Sequence, residues 1–160
     1  MVVSAWHSLS NADGVGDTGA LLDALGDDAA ASDGPMGCVG YCMSGAFVTA
    51  VAGTYPDRFA ANVSLYGVWI VTENDDSPHL LAPQIEGEMY YAFAEHDRWV
   101  PMELIDTLRA KLDEHGVTHE TEVFPTTEHG FAFPEREVYH EPSAEIVWDK
   151  MFKLYARVLG

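Results

Sequence analysis

Basic residues are scarce in this 160-residue chain: eight Lys and Arg stand against 26 Asp and Glu, a formal net charge of −18. So acidic a surface repels polyanions, which excludes nucleic acid and anionic membranes as partners. Lysine is the scarcest cation, at Lys111, Lys150 and Lys153 alone. That balance fits either an ordinary acidic enzyme or a protein of a high-salt cytoplasm, where screening removes self-repulsion. Cysteine is almost absent too. Cys38 and Cys42 are the two, and on one extended segment their Cα atoms would lie about 13 Å apart, beyond the roughly 7 Å that a disulfide spans. No second Cys or His pair stands at ligand spacing, so no metal is expected. His115 and His119 are four apart, but "HGVTH" reads as a helix end passing into a strand. Long apolar runs are missing, all falling short of the roughly 20 residues that cross a bilayer. The start "MVVSAWHSLS" lacks the basic opening of a signal peptide, so the expectation is a cytoplasmic protein.

Hydrophobic residues make up 48% of the chain, ordinary for a globular protein. No repeat or low-complexity linker divides it, so one domain over 1–160 is expected. From Met36 onward strand and helix patterns alternate. "MGCVGY" after the turn signal "SDGP" reads as a buried strand, and "GAFVTAVAGTYP" as a helix closed by Gly53 and Pro56. "AANVSLYG" and "EMYYAFA" follow as strands. Pro101, Glu103, the repeat Leu104, Leu108, Leu112 and the stop Gly116 predict the next helix. "HETEVFP" gives a fourth strand, and a last helix runs from about Pro142 to Leu159. Strands separated by helices of this length imply parallel pairing in an α/β sandwich of about four strands. In front, "DTGALLDALG" is predicted as a short helix capped by Asp17 and stopped by Gly26. Residues 1–16 and 26–35 read as irregular.

Open α/β sheets carry reactive groups beyond the carboxyl ends of their strands. The first strand leads into "VGYCMSGAF", a lone thiol among small residues: either a buried cysteine beside a turn, or a nucleophile held on a sharp strand-to-helix bend. The third strand is followed by "EHDRWVP" and the fourth by "PTTEHGFAFP". Cys42, Asp97 and His129 thus fall at three strand ends in the order nucleophile, acid, histidine. Each has work to do. A free thiol is mostly protonated at neutral pH, so an imidazole must take its proton. The imidazole in turn needs a carboxylate to hold its tautomer and stabilise its charged form. The Met43 N–H, at the start of a helix, is placed to face an oxyanion, and the helix dipole favours thiolate.

"GYCMSG", "FAEHDRWVP" and "TEHGFAFPER" together resemble the dienelactone hydrolase family of α/β-hydrolases, from about Asp17 to the end of the sequence. The resemblance implies Cys42 as nucleophile, Asp97 as orienting acid and His129 as general base. It also implies that small esters or lactones open through a thioester without a cofactor. Two positions depart from the family pattern. Ser44 stands where the elbow usually has glycine. Phe133 stands where a substrate-holding arginine is found, with Arg136 further on, so a neutral or short-chain ester is expected rather than dienelactone. Trp69, Trp99, Phe131 and Phe133 are candidates to line an apolar pocket, each with core packing as its plainer reading.

The front is also shorter than in the family, which leaves the strand before Cys42 as an exposed sheet edge. A second copy of the chain is the expected cover, with residues 1–16 folding back as the alternative. The last helix, with Ile146, Val147, Trp148, Met151, Phe152, Leu154, Tyr155 and Val158, leaves little polar face. Two further functional readings stand beside the hydrolase. One is a weakly active remnant or binding module that keeps the three residues without full oxyanion stabilisation. The other is a thiol redox protein, disfavoured by the C-x3-C spacing of Cys38 and Cys42.

Overall fold

A computed structural model describes residues 9–160. Strands β1 (Met36–Tyr41), β2 (Phe59–Leu65), β3 (Glu88–His96) and β4 (His119–Glu128) form one sheet in the order β1-β2-β3-β4. Every neighbouring pair is parallel. Helices α1 (Asn11–Gly26), α2 (Ser44–Thr54), α3 (Met102–Glu114) and α4 (Glu141–Val158) flank it, and a 3₁₀ segment, Pro78–Gln84, lies between β2 and β3.

The side-chain alternation of β3 explains the layering. Met89, Tyr91 and Phe93 pack with Ala46, Val48 and Ala52 of α2 and Ile105, Leu108 and Leu112 of α3. Tyr90, Ala92 and Ala94 face the other way, onto Ala144, Val147, Met151 and Leu154 of α4. Both faces of the strand are therefore covered, which is why "EMYYAFA" reads as a near-continuous apolar run. In α3 the buried stripe is Ile105, Leu108 and Leu112, and Leu104 is only partly buried.

The front of the chain corrects the sequence reading. Part of the segment expected to be irregular is helical: α1 starts at Asn11, and Ser10 is its cap in place of Asp17. The Ser10 hydroxyl accepts from the Asp13 N–H at 3.2 Å, and Asp13 accepts from the Ser10 N–H at 2.8 Å. This reciprocal box nucleates the helix about two turns early. It carries through Gly14 because a Cβ there would lie 3.0 Å from the Phe47 ring of α2. The remaining residues of the expected irregular N-terminal segment, 1–8, lie outside the described residues.

β1 is an edge strand, as expected. Gly37 and Val39 are exposed along it, while Leu22 of α1 clusters with Met36 and Cys38 of β1 and Val51 of α2, and the hydroxyl of Tyr55, just past α2, donates to the Val15 carbonyl at 3.0 Å. Among the described residues no helix is long and apolar enough to cross a membrane, and no group of three or more His, Cys, Asp or Glu is arranged to hold a metal.

Candidate active site

Three of the four non-glycine residues with positive φ among the described residues, Cys42 (54°), Tyr66 (40°) and Trp69 (59°), stand beyond the carboxyl ends of β1 and β2. Such backbone is costly and persists where its surroundings hold it. Around Cys42 they do. Its N–H donates to the Leu65 carbonyl at 3.1 Å, and its carbonyl accepts from Gly45 at 3.1 Å and Val68 at 3.0 Å. The bend also needs missing side chains: a Cβ on Gly45 would sit 2.4 Å from Gly67 Cα, and one on Gly40 would sit 2.3 Å from the Ser44 carbonyl. Ser44 closes the turn, accepting from the Tyr41 N–H at 2.8 Å and donating to the Tyr41 carbonyl at 2.9 Å. The departure at that position is therefore a working part of the elbow.

The loops after β3 and β4 bring the acid and the imidazole together. Asp97 Oδ2 lies 2.7 Å from His129 Nδ1, and its other oxygen accepts from the Trp99 N–H at 2.9 Å. The carboxylate side chain is fully buried and that of His129 nearly so. His129 Nε2 is buried with no aligned hydrogen-bond partner among the described residues. Cys42 nevertheless stands close enough for each group to shift the other. The contact with His129 is the main cause holding the Cys42 thiol below its usual range; burial opposes it, and the Met43 N–H and Arg136 assist. On His129, burial works against the charged ring. The hydrogen bond to Asp97 and the contact with Cys42 overcome that and raise it to about 9. Both shifts run toward the charged form of each group. Cys38 is the opposite of Cys42: burial pushes that thiol up to about 12, and it donates to Asn62 Oδ1 at 3.1 Å.

The residues expected to line a pocket divide. Trp69 and Met43 share a cavity of about 330 Å³ with Phe47, Thr72 and Asn74. A second cavity, of about 400 Å³, is formed by His96, Arg98, Trp99, Glu128, His129 and Arg136. Arg136 folds back over Gly130 (φ 91°), where a Cβ would come within 2.7 Å of its guanidinium. Phe131 is a correction: it is fully buried in the core, tilted against Phe124 at 5.4 Å and edge-on to Tyr66 at 5.7 Å. The parallel sheet leaves a hydrophobic floor below the histidine loop, and the first aromatic after the turn fills it. Phe133 packs on Tyr41 at 5.0 Å and on Trp148 at 6.4 Å, a half-buried support with no place in either cavity. Tyr66, at the end of β2, is the residue that sequence reasoning passed over. Its signal was present in "SLYG", another strand end on the same side of the sheet.

The dienelactone hydrolase family profile matches residues 2–159. This chain belongs to the dienelactone hydrolase family. It is similar to the mouse carboxymethylenebutenolidase homolog, 37% identical over 103 residues, which is 64% of this chain and 39% of the mouse protein. Protein usf of Aquifex pyrophilus is 27% identical, over 81% of this chain and 54% of that one. The chain thus spans well under two thirds of these relatives. Among solved structures, a dienelactone hydrolase-like promiscuous phosphotriesterase from metagenomic libraries superposes with TM-score 0.79 and 18% identity, over 98% of this chain and 66% of that one. That likeness concerns the fold. In dienelactone hydrolase terms, the loops carrying Cys42, Asp97 and His129 all open at the carboxyl end of the sheet.

Proposed function

We propose that this chain is a hydrolase of small carboxylic esters or lactones that works by acyl transfer to Cys42. The observation that carries the reading is the 2.7 Å contact between Asp97 and His129, set beside a left-handed Cys42 whose thiol is held below its ordinary range. The Cys42 sulfur adds to the substrate carbonyl carbon, and the carbonyl pair moves to oxygen, where the Met43 N–H supports it. Collapse breaks the bond to the leaving alkoxide, which takes the proton from His129 Nε2. His129, held by Asp97, then removes a proton from water; the hydroxide adds to the thioester and the thiolate leaves. No step calls on a cofactor.

The charge pattern narrows the substrate. Five of the eight cations, Arg109, Lys111, Lys150, Lys153 and Arg157, are ion-paired to carboxylates. Arg58, Arg98 and Arg136 form no such pair among the described residues; Arg98, 4.8 Å over the Trp99 ring, and Arg136 both line the cavity over His129. Two guanidiniums without a carboxylate partner at the site of a chain carrying −18 favour an ester or lactone bearing a carboxylate, in place of the neutral ester expected from Phe133. Arg136, seven residues beyond His129, is the side chain assigned to hold that carboxylate.

A second copy covering β1 is the partner this reading favours, since Val39 is exposed on that edge beside an apolar groove with Leu21, Leu25 and Phe47. Sedimentation at micromolar concentration is expected to give a dimer, and a well-behaved monomer removes it. Both cysteines are free, which suits the reducing cytoplasm. Replacement Cys42→Ala is expected to abolish turnover of a short p-nitrophenyl ester while circular dichroism is unchanged. Retained turnover defeats the proposal, and wild-type turnover no faster than a free thiol favours a remnant.

A further inference from the structure

We infer that Tyr66 is a further catalytic residue: its phenolic O–H is a second donor, with the Met43 N–H, to the oxygen that becomes negative when Cys42 adds to the carbonyl. This rests on the reading of Cys42 as nucleophile. Tyr66 directly follows β2 in left-handed backbone (φ 40°) and is locked to the elbow. Its N–H donates to the Ala92 carbonyl at 2.6 Å, while its neighbour Leu65 accepts the Cys42 N–H. The chain then returns from Val68 to the Cys42 carbonyl. Backbone hydrogen bonds thus tie the segment bearing the phenol to the nucleophile's turn.

The side chain is 1% exposed. Its ring stands edge-on to His129 at 5.1 Å and to Phe131 at 5.7 Å, with Tyr41 at 6.3 Å. Its oxygen is buried and has no hydrogen-bond partner among the described residues. An unpaired buried hydroxyl carries its full desolvation cost, and natural structures keep few of them. Here the missing acceptor is one that arrives with the substrate. Burial, with Tyr41 and Cys42 adding, holds the phenol above its ordinary range, so it remains a donor through neutral pH and does not serve as a base. Ser64 Oγ is also buried and unpartnered, but it lies beneath the Gly45–Gly67 crossing, 2.3 Å from where a Gly67 Cβ would stand. It supports the elbow from below and faces no substrate.

Tyr66→Phe keeps the ring and removes only the donor. The expected result on an alkyl ester is a fall in kcat of roughly 100-fold, within the range for loss of one oxyanion donor, with KM within about threefold. Because the lost hydroxyl was unsatisfied, the thermal midpoint is expected to stay or rise. The rate and pH profile of Cys42 alkylation by iodoacetamide should stay as in the wild type. An aldehyde analogue that adds to Cys42 should bind the variant more weakly by a similar factor. Unchanged kcat and unchanged aldehyde affinity overturn the inference. A parallel fall in alkylation rate, or a shifted alkylation profile, also overturns it, since Tyr66 would then act by holding His129. Turnover that survives Cys42→Ala marks failure of the underlying reading instead.

Discussion

Replacing Asp97 by Asn probes the coupling at the centre of the site. The asparagine keeps the oxygen that accepts the Trp99 N–H at 2.9 Å, so the loop has no reason to unfold. What is lost is the charge 2.7 Å from His129 Nδ1. The imidazole is raised from 6.5 to about 9; at 1.36 kcal/mol per pKa unit this is about 3 kcal/mol favouring the charged ring. Asp97 and Cys42 share that stabilisation, with Asp97 the leading favourable partner. Most of it disappearing from a step that forms imidazolium slows the step by roughly 100-fold. Steady-state ester hydrolysis gives kcat, and iodoacetamide alkylation against pH reports the Cys42 thiol. Both should change: kcat falls by about two orders of magnitude, and the alkylation profile moves up toward that of a free thiol. A kcat within threefold of wild type, with an unmoved alkylation profile and intact fold, refutes the coupling.

Hydrolysis of an alkyl ester, followed by pH-stat, should be bell-shaped. Cys42 is lowered and His129 raised to about 9, so activity persists below the usual thiol range and falls as pH passes about 9; a descending limb near 6.5 contradicts this. The pair titrates as a unit, and stability tied to the raised imidazole is present below about 6.5 and lost through 9. Gly45→Ala brings a Cβ within 2.4 Å of Gly67 Cα, which should cost about 1–3 kcal/mol or more and lower the urea midpoint; an unchanged midpoint contradicts it. Arg136→Gln should lower the preference for carboxylate-bearing over neutral esters by about tenfold, and an unaltered ratio in competition kinetics removes the anionic subsite.

Much of this architecture was legible because local signals agreed. β1 is bounded as read because a Gly-Pro turn precedes it and the elbow follows it, and β3 because an apolar run ends in charge. The start of α1 was hidden by Gly14 and Gly16, which argue against a helix until the Phe47 packing of Gly14 is known. Pro78 and Pro83 concealed the 3₁₀ segment. At the site, strand ends located Cys42, Asp97 and His129, because a parallel sheet sends all its carboxyl ends to one side. Phe131 was ambiguous since core and pocket both accept an aromatic ring. Tyr66 looked like the last apolar residue of its strand. Arg136 could not be placed by sequence distance, because its return over Gly130 depends on a positive φ that residue identity permits but does not impose.

Intact-mass spectrometry during turnover of a slowly hydrolysed ester tests acyl transfer most directly. The wild type should gain the mass of one acyl group, mapped by peptide analysis to Cys42 and removed by hydroxylamine, while Cys42→Ala gains none. Sustained hydrolysis with no adduct at Cys42 under conditions that slow deacylation, or an adduct on another residue that survives Cys42→Ala, contradicts a nucleophilic cysteine.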